Sequence, residues 1–392
     1  MRVVELLAGN RIVVVVGSGG VGKTTIAAAL ALRGALEGRR TMVLTIDPTQ
    51  RLAEALGLAG LRAGGERIAV ERLEAAGLDP RAPLSAGMLD QTSAWDEFIA
   101  RHSPSPEVRD TILANAFYQN LSRSFAGSTE YMAIEELARI EETGDYDLIV
   151  LDTPPSRHAL DFLEAPRRLE EFFDRGVFGW LARPASVGWS AWKTASRSAR
   201  FVFERVEDAT GVQALTEIAA FFTAIEGLVD GVAARSRKVR ELLQAPTTAF
   251  VLVTGPDEQV LEDAEGLAAS MKQLGVTLRG VVMNRLHGVG AVDVPGGLAR
   301  GGCLQPRAGD ADEGPLWRLR RALLDAGVAA DVAAWVCETA EEHLLQAATQ
   351  GVRREVFEAG LPEGVRLSAV PEQRRDVHDL VGLAVIAREL AN

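Results

Sequence analysis

Four runs of apolar, mostly β-branched residues stand out along the chain: Ile12–Val16, Met42–Ile46, Leu148–Leu151 and Phe250–Val253. None is interrupted by a charged residue, and glycine or aspartate follows each within two positions. Runs of this length without polar alternation predict strands buried on both faces of a parallel sheet. Weaker runs at Gly280–Met283 and Val365–Val370 add two more strands. Between them lie helical patterns, Thr24–Leu36 after the first strand and Glu262–Leu274 after the fourth. The alternation predicts an α/β fold, a doubly wound and mostly parallel sheet.

Two stretches interrupt that alternation and read as helical insertions, from about Pro83 to Glu142 and from Leu160 to Leu243. The second includes Leu215, Ile218, Phe222, Ile225, Val229 and Val232 at spacings of three and four, a coiled-coil-like seam. It also holds Phe178–Phe203, rich in tryptophan and phenylalanine among arginines. That segment either packs the insertion's own core or forms an apolar, partner-facing groove. Residues Gly288–Gly314, rich in Gly, Pro and Asp, predict a mobile loop. Beyond it, Leu316–Leu324 and Asp331–Phe357 read as helices. We expect one domain over residues 1–392, with insertions at about 83–142 and 160–243 and the loop at about 288–314.

Composition narrows the classes. The 392 residues carry 42 Lys+Arg against 54 Asp+Glu, a net charge of −12. That field opposes a sequence-independent grip on nucleic acid, and no dense basic patch offsets it. Two cysteines, Cys303 and Cys337, 34 positions apart, match neither a disulfide framework nor a metal knuckle. The N-terminal apolar run leads into glycines rather than a cleavage site, and Leu380–Ala387 is too short to cross a bilayer. A cytoplasmic protein is expected. Positive charge is almost all arginine, with lysine only at positions 23, 193, 238 and 272.

One of those lysines stands in Gly17-Ser18-Gly19-Gly20-Val21-Gly22-Lys23-Thr24, which satisfies G-x-x-x-x-G-K-[ST] between a strand and a helix. Glycines let the backbone wrap an anion with its N–H groups, and the helix N-terminus adds its dipole. Lys23 then reaches the β- and γ-phosphates of ATP, while the Thr24 hydroxyl ligates Mg²⁺ and Thr25 follows in the first turn. Asp152 ends an apolar strand, where it can hold the magnesium shell. Asp47 ends another, at the edge where open α/β sheets bind ligands, and can position the attacking water or join the metal's ligands. Each carboxylate could instead be a helix cap.

The string GSGGVGKTT resembles the deviant phosphate loop of the arsenite-pump and tail-anchored-protein-targeting ATPase family, P-loop NTPases of the SIMIBI type. LTIDPTQRLAEALG (44–57) is similar to the family's switch I and LDTPPSRHALDFLEAP (151–166) to its switch II. AGSTEYMAIEEL (126–137) resembles the helix between them, and VVMNRL (281–286) and VPEQRRDVHDLVGLA (370–384) resemble its adenine-side segments. The resemblance covers nearly the whole chain. It implies that Asp47 orients water, that Asp152 is the switch II aspartate, and that Asn284 and the backbone around Pro371 recognise adenine. It further implies a nucleotide-switch dimer whose helical insert holds a hydrophobic helical client or a membrane-protein partner.

Three departures qualify what is carried over. Ser18 replaces the signature lysine that reaches the partner's phosphates, and a serine hydroxyl supplies neither the reach nor the charge. An arginine such as Arg51 or Arg157 then substitutes, or turnover is slow alone, or the chain pairs as a heterodimer with a paralogous ATPase that keeps the lysine rather than as a homodimer. No CxxC is present for a zinc-bridged dimer, and two cysteines cannot form an arsenite triad. Switch II reads Ser156-Arg157-His158, with Asp161 where the family has arginine. A hydrolysing ATP switch is the expected function. A Min/Par-type positioning ATPase and an ATP-dependent metabolic ligase on the same fold are the alternatives.

Overall fold

A computed structural model of the chain describes residues 5–46, 51–61, 65–88, 91–124, 128–153, 229–287 and 315–391, with Glu164, Arg167 and Phe221 in addition. Eight strands form one sheet: β1 (Ile12–Gly17), β2 (Thr41–Thr45), β3 (Glu66–Arg67), β4 (Leu84–Met88), β5 (Leu148–Asp152), β6 (Thr248–Thr254), β7 (Leu278–Leu286) and β8 (Arg366–Pro371). Their spatial order is β3-β4-β2-β5-β1-β6-β7-β8. Every pairing is parallel except that of the two-residue β3 with β4. The chain leaves β1 toward one side of the sheet and later crosses to the other through β6. The order therefore reverses at β1, the place where open α/β sheets leave a crevice.

Ten helices of nine residues or more accompany the sheet among the described residues. In chain order they are α1 (Lys23–Leu36), α2 (Gln91–His102), α3 (Pro106–Ala114), α4 (Ala116–Ser124) and α5 (Ser128–Thr143), then α6 (Val229–Gln244), α7 (Glu258–Gln273), α8 (Pro315–Asp325), α9 (Ala330–Gly360) and α10 (Leu380–Glu389). Because side chains alternate along a strand, β1 sends Ile12, Val14 and Val16 into one core and Val13 and Val15 into another. The first core is closed by Phe98 of α2, Leu137 of α5, Val239 of α6 and Phe357 of α9. The second is closed by Ile26 and Leu30 of α1 and by Leu383 and Ile386 of α10. Both faces of the central strands are buried, which is why their sequences run apolar without alternation.

At the opposite edge from the phosphate loop, the backbone N–H of Arg40 donates to Asp147 Oδ2 at 3.0 Å and its Nη2 to Oδ1 at 2.7 Å. These bonds hold the Asp147 carboxyl down to about 2 and fasten the start of β2 to the start of β5.

The first expected insertion is shorter than its sequence suggests. Leu84–Met88 is a strand paired with β2, so the helical stretch starts at α2. Leu-Ser-Ala-Gly-Met has weak β-propensity, and burial at the sheet overrides it. The first five-residue strand of that stretch was therefore hidden among small residues. Of the second insertion, Phe178–Phe203 and most of the coiled-coil-like seam lie outside the described residues, as does the loop 288–314. Phe221, beside the seam, is buried and lies 5.3 Å from the Phe117 ring and 6.3 Å from the Tyr118 ring. No described helix is long and apolar enough to cross a membrane.

Candidate functional site

The phosphate loop leaves β1 at Gly17 and enters α1 at Lys23. Two of its glycines are required by their surroundings. A Cβ on Gly17 would lie 2.1 Å from the Val253 carbonyl oxygen of β6, and one on Gly22 would lie 2.4 Å from Asn284 Nδ2. Gly22 also caps α1 with φ 91° and ψ 25°, a left-handed conformation that L side chains avoid. As a glycine it brings no capping side chain of its own to the first-turn amides of α1. Such a turn is a ready anion cradle.

Lys23 is buried, and its ammonium donates to the Ser18 carbonyl at 2.7 Å, folding back across the loop it belongs to. Thr24 and Thr25 follow, both half-buried in the first turn of α1, while Gly19 and Gly20 are exposed at the tip. Ser18 Oγ donates to Asp263 Oδ2 of α7 at 3.3 Å. The side chain at the signature-lysine position is thus engaged within its own chain.

Asp152 ends β5 directly across from Val15 of β1 and Thr45 of β2. It is fully buried, and the Thr45 hydroxyl donates to its Oδ2 at 2.9 Å. The next residue, Thr153, donates its hydroxyl to the Val15 carbonyl at 2.8 Å, which holds the strand end against β1 just before the loop. The Ile46 amide donates to the Asp152 carbonyl at 3.3 Å, so β2 runs beside the same carboxylate as far as that residue. Asp47 comes next in the chain and lies outside the described residues, as do Arg157, His158 and the rest of 154–163. Arg51 is described, exposed at the start of a short helix.

Asn284 is buried at the end of β7, and its Nδ2 donates to the Val21 carbonyl of the phosphate loop at 2.9 Å. The following residue, Arg285, has φ 60°, in the left-handed region uncommon for non-glycine residues, and the β7–β8 register shifts here between Met283 and Leu286. Pro371 stands opposite Leu286 at the end of β8, its carbonyl accepting from Gln373 Nε2 at 2.8 Å. The backbone N–H of His287 donates to Gln350 Oε1 of α9 at 2.8 Å, and its Nε2 lies 2.8 Å from Glu372.

The fold therefore brings Gly17–Thr25, Asp152, Asn284 and Pro371 to the carboxyl edge of one sheet. Sequence reasoning did not find Thr45, Asp263 or the bond from Asn284 to the loop. For Thr45 the signal was present, a hydroxyl two residues before an aspartate at a strand end. For Asp263 there was none, since it is one acid among several on an exposed helix face. No group of three or more His, Cys, Asp or Glu able to hold a metal exists among the described residues. Magnesium in a phosphate-loop site takes its ligands from one hydroxyl, one carboxylate, the nucleotide and water, and Thr24 with Asp152 suits that set.

Comparison with known proteins gives a consistent picture. The sequence profile of the family described as Anion-transporting ATPase matches residues 10–289. The ATPase GET3 of Malassezia globosa is 27% identical over a stretch covering 69% of this chain and 71% of that protein. ATPase GET3B of Arabidopsis thaliana is 27% identical over 69% of this chain and 62% of its own length. A putative arsenical pump-driving ATPase of Halobacterium salinarum is 32% identical over 44% of this chain and 26% of that protein.

Proposed function

Because this chain belongs to the anion-transporting ATPase family and is a P-loop ATPase, we propose that it is a conformational switch, coupling its Mg-ATP state to a client or partner held by the helical insertion. The observation that carries the reading is the cradle itself. Gly17 and Gly22 leave no room for side chains, the first turn of α1 presents its amides, and Lys23 is held over the loop from within. In this reading the loop amides of Gly19–Thr25 and the Lys23 ammonium hold the β- and γ-phosphates. Thr24 and Asp152 hold the magnesium, with Asp47 at its shell, and the ion supplies neutralisation of the phosphate charge. Asp47 orients the attacking water toward the γ-phosphate. Asn284 and the backbone at Pro371 flank the adenine.

The reading includes one P-loop domain with two helical insertions, working as a homodimer or as a heterodimer with a paralogue that keeps the signature lysine. Its client is a hydrophobic helix or a membrane-protein segment, met in the cytoplasm by the insertion at 160–243. Neither a positioning ATPase nor a metabolic ligase gains support from the matched family.

Lys23→Ala should weaken ATP binding by about 10- to 100-fold, the loss of one or two charge-assisted hydrogen bonds. Asp47→Asn should leave ATP affinity within about threefold but slow single-turnover hydrolysis by about 100-fold or more. Unchanged ATP affinity in Lys23→Ala by isothermal titration would remove the phosphate-loop reading. Unchanged single-turnover rate in Asp47→Asn would remove only the assignment of the water-orienting group.

A further inference from the structure

Eight large apolar side chains are exposed among the described residues, and seven of them lie on the hairpin of α8 and α9. Four of the five on α9 follow a rule, Val332 at its first turn standing apart. Trp335, Leu345, Val352 and Val356, up to 69% exposed, fall at heptad positions spaced three and four, with Glu338, Glu342 and Thr349 filling the intervening places. All seven positions face solvent. Such a run over 22 residues is a coiled-coil seam about 30 Å long with no helix of its own chain laid along it among the described residues. The opposite side of α9 is anchored: Gln350 accepts from the His287 amide, Phe357 enters the core and Ala333 is buried.

We propose that this seam pairs with α9 of a second copy of the same chain, antiparallel, and that the contact forms without nucleotide. Charge selects both the occupant and the direction. Side by side in parallel, Glu338, Glu341 and Glu342 would each meet their own copies, which is unfavourable. In an antiparallel pair centred between Leu345 and Gln346, Trp335 meets Val356, Glu342 meets Thr349, and Glu338 meets Arg353, whose side chain otherwise reaches Glu258 of its own α7 at 3.2 Å. No like charges oppose each other, and a two-fold axis makes every such contact twice. An anionic membrane is a poor occupant, because five arginines against seven carboxylates over 315–360 leave the hairpin at −2. The inference rests on the family reading only for the expectation of a dimer; the seam itself is independent of the ATP site.

Sedimentation velocity of the full chain without nucleotide tests it. The parent should show a concentration-dependent dimer. Glu338→Arg and Arg353→Glu should each weaken it by tenfold or more, and the two together should restore it within about threefold, which a folding defect would not do. Trp335→Glu should abolish it while leaving ATP affinity unchanged. A parent that stays monomeric at every concentration overturns the proposal. So does a dimer that forms only with ATP and ignores Trp335→Glu, which would leave the ATP switch standing. Binding of a monomeric parent to phosphatidylserine vesicles, lost in Trp335→Glu, would instead assign the seam to a lipid surface and overturn it.

Discussion

At the residue scale, Asn284 joins two parts of the site that the sequence keeps 263 positions apart. Its amide hydrogen bond to the Val21 carbonyl fixes the loop just before the left-handed Gly22, and it fills the space a Gly22 Cβ would need. Beside the adenine-flanking place proposed for it, the side chain supports the phosphate cradle, so its loss is felt whatever base the nucleotide carries. Asn284→Ala should therefore weaken ATP, GTP and inorganic tripolyphosphate by a similar factor of about tenfold, the worth of one buried hydrogen bond. Competition titrations with the three ligands decide this, since a pure adenine reader would lose ATP affinity alone. The chemistry of Gly17–Thr25 was legible in the sequence because a phosphate cradle is local: one turn, one helix start and one lysine. The bond from Asn284 was not, because it depends on β7 lying two places from β1 in the sheet.

At the element scale, α5 and α6 are locked by charge. Arg235 Nε donates to Glu135 at 2.8 Å, Arg235 also bonds Glu142, and Lys238 reaches Glu142 at 2.6 Å. Burial opposes the charge on Arg235, yet its bonds to Glu135 and Glu142 outweigh that and raise its pKa. The Glu142 carboxyl is lowered, first by Arg235. Its contribution is present at neutral pH and is lost as pH falls through that depressed value. Arg235→Ala leaves Glu135 buried and unpaired and should cost about 3 kcal/mol, read from the urea midpoint. Lys238→Ala, whose side chain is largely exposed, should stay within about 1 kcal/mol. Equal losses in the two variants would refute the lock. The long strands were evident from uninterrupted apolar runs and α1 from its helical pattern, whereas β4 was not. Leu-Ser-Ala-Gly-Met, with three small residues at its centre, reads as a strand only once β2 is beside it.

At the scale of the whole molecule, the question is how a switch turns over without the signature lysine. Ser18 is held by Asp263 of its own α7, and a serine cannot offset the charge that develops at the partner's γ-phosphate. Slow turnover by the purified chain is the expected outcome, and the heterodimer proposed above would supply the missing cation in trans. Ser18→Lys should raise the ATPase rate of the chain alone by about tenfold or more, and steepen its dependence on protein concentration. A parent already fast and concentration-dependent, with no gain from Ser18→Lys, would point to an arginine such as Arg51 or Arg157 in that place.

The sequence by itself determined the layered α/β fold and the phosphate loop, because both are written in short-range patterns: apolar runs that demand burial on two faces, and glycines with a lysine at fixed spacing. Tertiary structure alone decided which side chains meet at the carboxyl edge of the sheet. The order β5-β1-β6-β7 sets Asp152 beside β1 and Asn284 under the loop, and α7 brings Asp263 to Ser18. It also decided which face of α9 is left in water, since an amphipathic pattern marks an apolar stripe and only packing shows whether the chain itself covers it.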